Sequence, residues 1–241
     1  MSIDYKGTCV HYGVFGKQNN KTLFFLHGWG CDGNIFMQTI SDLQKFYQCV
    51  VLTFPPFGKS GASKEVWQLE DYSKIVFEVK NQLDIKNFGI ICHSFGTRVA
   101  INYSNCYNNV NVLVITGGAG IRPRRGIKYY FKVWFYKIFK KLLNTKKYGS
   151  SDYKKLDGKM KKTFINIVNS HQNSNAKNIK IPTLLIYGDK DKQTPIYMAK
   201  KYNKLIKKSV LKIYKGADHF AFITKRELFF SDTLEFLKKH Y

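Results

Sequence analysis

The chain has 241 residues, enough for one domain with a sheet covered on both faces, and nothing in it marks a second domain. No run approaches the ~18–20 uninterrupted apolar residues of a membrane-spanning helix, and residues 1–6 lead into no apolar run of a secretory or transit signal, so a soluble, cytoplasmic protein is expected. The net charge of +24 raises nucleic acid as a partner, but no nucleic-acid motif interleaves the lysines, and none is expected to bind. The five cysteines, at 9, 31, 49, 92 and 106, are odd in number and scattered without metal-ligand spacing; they read as reduced core thiols.

In chain order, residues 5–14 alternate as a strand and end at a turn over 15–20. Residues 22–26 are a compact apolar run suited to a strand buried on both faces, ending in His27-Gly28-Trp29-Gly30. A helix is predicted over 35–46, a strand over 49–54, then the loop 55–61, then a helix over 69–83 with Leu69, Tyr72, Ile75, Val76, Val79 and Leu83 on one side. A strand beginning at Phe88 turns into a helix past Ser94. Further strands are predicted at 110–116, 182–187 and 210–214, with helices at 196–206 and 227–239. Strands alternating with helices, several of them continuously apolar, predict an α/β fold with a mainly parallel central sheet wound on both sides. The rhythm breaks over 120–178, which contains no convincing strand. It reads as a helical, basic cap inserted into a core of residues 1–119 and 179–241. Residues 121–180 hold seventeen Lys and Arg against two acids. Within them Phe131, Trp134 and Phe135 fall on one face of a basic, amphipathic helix over 129–142, a candidate wall for an apolar substrate portion.

The sequence Cys92-His93-Ser94-Phe95-Gly96 reads as a sharp strand-to-helix corner with a serine at its apex. Such a corner needs small residues two before and two after the serine, here Cys92 and Gly96, and it aims the Phe95 amide at any oxyanion formed there. A serine hydroxyl becomes a nucleophile only when an imidazole takes its proton, and that imidazole must be held by a carboxylate. Among six histidines, His219 lies just past the last strand in Gly216-Ala217-Asp218-His219-Phe220, where a loop can hang it over the sheet's carboxyl edge. His27 and His93 sit beside tight turns and are expected to brace backbone. For the acid, Gly188-Asp189-Lys190-Asp191 follows the penultimate strand. Asp191 is chosen over Asp189, which can instead cap the turn, and over Asp218, because sequence neighbours rarely face each other.

The order Ser94, Asp191, His219, each past a strand, together with the 27–30 turn and the 55–61 loop, resembles the α/β-hydrolase superfamily across roughly residues 5–240. Among its members the chain looks most like small carboxylesterases such as pimeloyl-carrier-protein methyl esterases. The departures are Cys92 and Pro56 where glycine is usual, and Asp218 for the glycine before the histidine. The resemblance implies a catalytic triad of Ser94, Asp191 and His219, an oxyanion hole from the Trp29 and Phe95 amides, and hydrolysis of a carboxylic ester or thioester through an acyl-enzyme with no cofactor and no metal. Acyl transfer and carbon–carbon bond hydrolysis use the same triad, and a non-catalytic small-molecule sensor could retain the pocket. The expected partners are a small acyl ester and, through the basic cap, an acidic carrier protein or anionic lipid surface.

Overall fold

The structure, a computed structural model, describes residues 1–124, 156 and 158–241. Eight strands form one sheet in the order β1-β2-β4-β3-β5-β6-β7-β8. They are β1 Ser2–Tyr5, β2 Thr8–Phe15, β3 Thr22–Leu26, β4 Gln48–Leu52, β5 Phe88–His93, β6 Val110–Thr116, β7 Thr183–Gly188 and β8 Ser209–Tyr214. Only β2 runs against the others. The single strand expected over 5–14 is in fact a hairpin: Lys6 and Gly7 both take positive φ, 53° and 68°, and a two-residue turn of that hand matches the twist of its strands.

The described helices are α1 Met37–Leu43, α2 Leu69–Gln82, α3 Phe95–Cys106, α4 Gly158–Asn169, α5 Asn173–Asn178, α6 Ile196–Leu205, α7 Ala221–Thr224 and α8 Arg226–His240. Because side chains alternate along a strand, each central strand feeds two cores. Phe24, Leu26, Ile90, Cys92, Leu113 and Ile115 pack with α2, α3 and α6 on one face. Leu23, Phe25, Ile91, Val112 and Val114 pack with α1, α7 and α8 on the other. Both sets are fully buried, which explains why these strands read as unbroken apolar runs. Among the described residues of 120–178 there are helices and no strand, while the expected helix over 129–142 lies outside the described residues.

No disulfide joins any of the five cysteines, and only Cys49 and Cys92 are buried. Cys9 is exposed because it falls on an outward position of β2, and Cys106 because it ends α3. No helix among the described residues is long and apolar enough to cross a membrane.

The chain crosses from β3 outward to β4 and returns on the far side of β3 as β5. The loops after β3 and β5 therefore diverge at neighbouring strand ends, where open α/β sheets leave a crevice.

Candidate active site

Ser94 sits at the junction of β5 and α3 with φ 48° and ψ −111°, a conformation side-chain-bearing residues avoid at a cost of about 1–3 kcal/mol. Several contacts hold it there. Its N–H donates to the Thr116 carbonyl (3.2 Å), and its own carbonyl accepts from Thr97 N–H (3.0 Å) and Ala119 N–H (3.2 Å). Gly96 lies so close to β3 that a Cβ would overlap the Leu26 carbonyl oxygen, which is why this position must be glycine. Cys92 meets no such limit, because its side chain points into the core, with Sγ 3.6 Å from Thr97 Oγ1 and from the Val114 carbonyl oxygen. Burial pushes its thiol up to about 12, so Cys92 is a packing residue.

The 27–30 turn abuts this corner: a Cβ on Gly28 would lie 3.2 Å from the Ser94 Cβ. His27 braces the turn, as expected. Its Nε2 accepts from Phe54 N–H (2.8 Å), so Nδ1 carries the proton and donates to the Gly28 carbonyl (2.8 Å). Burial, only partly offset by that bond, lowers its pKa to about 4, and it stays neutral. Trp29 and Phe95, the proposed oxyanion donors, meet edge to face with ring centroids 5.4 Å apart. Phe95 opens α3, so its amide has no partner within the helix and faces outward from the positive end of the helix dipole.

At the ends of β7 and β8 the sequence-chosen acid and imidazole come together. His219 Nδ1 lies 2.8 Å from Asp191 Oδ2, and the two side chains are 6% and 0% exposed. Three further donors saturate the carboxylate: Gln193 and Thr194 N–H reach Oδ1 at 2.8 Å each, and the Thr194 hydroxyl reaches Oδ2 at 2.6 Å. Burial alone would raise the Asp191 carboxyl; the hydrogen bonds from His219 and Thr194 overcome it and hold the pKa at about 2. An ionised carboxylate on Nδ1 fixes the proton there and leaves Nε2 free to accept one. The Thr194 oxygen, 3.3 Å from Nδ1, is a secondary acceptor for the same proton. The rejected acids have other work. Asp189 accepts from Gly216 N–H (2.7 Å), and the exposed Asp218 from Phe220 N–H (2.9 Å).

The end of β6 links the Ser94 corner to the segment that carries His219. Thr116 holds the Ser94 amide, and the next residue, Gly117 at φ 53°, approaches the histidine so closely that a Cβ would stand 2.9 Å from His219 O and 3.1 Å from Nδ1. The ring of His93, beside the serine, lies 4.6 Å from the ring of His219. Among the described residues no group of three His, Cys, Asp or Glu could hold a metal ion.

Phe131, Trp134 and Phe135 lie outside the described residues. A different aromatic group is built on Trp29, which packs on Phe95: Trp29 also packs on Phe57 and on Phe164 of α4, each with ring centroids 5.1 Å apart, and Trp29, Phe57 and Phe164 are partly exposed. Phe164 was not singled out from sequence, although Met160, Thr163 and Ile167 bury one face of α4 beside it. Thr194 was missed too; a threonine three residues past an acid in a Gly–Pro turn is the available signal.

The family model for the alpha/beta hydrolase fold matches residues 21–147 and 125–226. The chain belongs to the α/β-hydrolase fold family. This α/β hydrolase is similar to an uncharacterised hydrolase, YugF, of Bacillus subtilis, at 23% identity over 96% of this chain and 95% of the relative. It is also similar to the pimeloyl-[acyl-carrier protein] methyl ester esterase of Vibrio campbellii, at 24% identity over 95% and 98%. Among solved structures, an esterase from Exiguobacterium antarcticum superposes with TM-score 0.77 at 20% identity, covering 96% of each chain.

Proposed function

We propose that this α/β hydrolase cleaves a carboxylic ester, or thioester, through Ser94, His219 and Asp191 and an acyl-enzyme intermediate. The observation that carries the proposal is the fully buried Asp191 carboxylate bonded to His219 Nδ1 at 2.8 Å, in a chain that also holds Ser94 at positive φ. His219 Nε2 removes the Ser94 proton as Oγ attacks the ester carbonyl. The Trp29 and Phe95 amides take up the oxyanion, each such donor being worth about 3–4 kcal/mol of barrier. The protonated imidazole then gives its proton to the departing alcohol, and a water activated by the same nitrogen releases the acid. The names of the relatives as esterases and hydrolases support this reading.

Residues 120–178 act as a cap on a core of 1–119 and 179–241. Phe164 supports this role, since it reaches from α4 to Trp29 and adds an apolar wall for the acyl portion. The charge distribution supports an acidic carrier protein or anionic lipid surface docking there: the first 119 residues carry a net charge of only +2, whereas 121–180 hold seventeen cations and two acids. A carrier-bound ester turned over with the salt-insensitive kinetics of a free ester would remove that partner.

Pre-steady-state hydrolysis of p-nitrophenyl butyrate tests the chemistry. A p-nitrophenol burst stoichiometric with enzyme, absent in Ser94→Ala, is expected. A folded wild-type protein that binds the ester without turnover would favour the sensor reading.

A further inference from the structure

The buried imidazole of His93 has no part in the triad, yet it lies against the end of β6, the 27–30 turn and the segment that carries His219. His93 ends β5 and is 1% exposed. Its Nδ1 lies 3.1 Å from the Thr116 carbonyl oxygen, which can only accept, so Nδ1 carries the proton. The same carbonyl takes the Ser94 N–H, and one acceptor thereby fixes both the corner and the ring next to it. The opposite edge of the ring faces the oxyanion turn, where a Cβ on Gly28 would stand 2.9 Å from His93 Cδ2. Its face meets His219 at 4.6 Å and an interplanar angle of 53°, with Phe220 and Phe222 each at 5.0 Å.

From this geometry we propose that His93 is a positioning residue: a neutral ring anchored on Thr116 that sets the place of the His219 imidazole and spaces it from the oxyanion turn. The inference rests on the esterase reading above. Asp191 fixes His219 only through Nδ1, about which the imidazole can still tilt, and the His93 ring supplies a second point of contact. Neutrality matters because a cation here would oppose the charge that His219 gains during reaction. Burial first, then the neighbouring His219, lower the His93 pKa to about 3, outweighing the Thr116 bond; Asp191 and His27 are the other ionisable groups that act on it. A misplacement of the base by about 1 Å costs on the order of 10²-fold in rate.

Two substitutions separate the anchor from the ring. His93→Asn keeps an N–H in the place of Nδ1 for Thr116 but removes the ring; His93→Phe keeps the ring and removes the anchor. Neither strands the Thr116 carbonyl, which retains the Ser94 N–H. Steady-state hydrolysis of p-nitrophenyl butyrate across pH, with melting curves to confirm folding, gives the test. The expected result is a fall in kcat of about 10²-fold for His93→Asn and about tenfold for His93→Phe, KM within about twofold, and an unmoved acid limb of kcat/KM. Unchanged kcat in both folded variants, a loss confined to KM, or an acid limb displaced by a unit or more would overturn the proposal. If either variant fails to fold, a fall in kcat at constant KM in the other still supports the proposal, and an unchanged kcat in it overturns it. A wild-type protein without turnover would sink the esterase reading instead, and so the two failures are distinguishable.

Discussion

Replacing Asp191 by asparagine tests the orienting role proposed for its carboxylate. Oδ1 accepts from the Gln193 and Thr194 amides, and Oδ2 from the Thr194 hydroxyl and His219 Nδ1. An asparagine oxygen at the Oδ1 position retains both backbone bonds, and the loop keeps its shape. Its NH2 group at the Oδ2 position then offers protons to two groups that were themselves donating. The Thr194 hydroxyl can rotate to accept. The imidazole can accept only through an unprotonated Nδ1, which moves its proton to Nε2, where it confronts Ser94 as a donor instead of a base. The expected loss in kcat is about 10³–10⁴-fold, or roughly 4–5.5 kcal/mol of barrier. Hydrolysis of p-nitrophenyl butyrate at pH 7, normalised to folded protein from parallel melting curves, measures it. A folded Asp191→Asn protein with less than about a tenfold loss would refute the assignment and return attention to Asp189 and Asp218.

Gly96→Ala pushes a methyl group into the Leu26 carbonyl and must displace the start of α3 or the end of β3; a destabilisation of about 1–3 kcal/mol is expected, and an unchanged denaturant midpoint would contradict the close approach. Acid stability has a computable sign. His27 and His93 have folded pKa values of about 4 and about 3, below the 6.5 of a free imidazole, so the unfolded chain binds more protons between those values. Their contribution is complete above about pH 6.5 and erodes as the pH falls, by up to about 1.4 kcal/mol per pH unit for each; the Asp191 contribution, with folded pKa about 2, is lost only between about pH 4 and 2. Urea midpoints that stay flat between pH 7 and 5 would exclude two buried neutral histidines. Phe164→Ala should lower kcat/KM for long acyl chains by about tenfold while sparing acetate, on the scale of one to two methylenes of lost contact; an unchanged chain-length profile would remove Phe164 from the pocket.

Much of the fold and of the candidate site was legible in the sequence, because the chain is most constrained where the site is built. Gly96 is forced by the Leu26 carbonyl, and the serine beside it is marked by the small residue that the corner demands. The central strands read clearly because both faces of the sheet are covered, leaving no polar positions to blur them. Less legible was whatever depended on a partner distant in sequence. The turn in the first hairpin uses Lys6 at positive φ, a residue with no special preference for it, so only Gly7 signalled the break. Thr194 shows its purpose only once its hydroxyl is seen on Asp191, and Phe164 only once α4 is laid against Trp29. Cys9 and Cys106 were read as core thiols with the other three, whereas strand alternation and the end of a helix turn them outward.

The central claim is that Ser94 is the nucleophile. Incubation of the full chain with a fluorophosphonate, followed by intact-mass and peptide-mass analysis, tests it most directly. The account predicts one adduct per chain, located on Ser94, abolished in Ser94→Ala and slowed in Asp191→Asn. Labelling of another residue, or no labelling of a folded protein that still hydrolyses p-nitrophenyl butyrate, would contradict it.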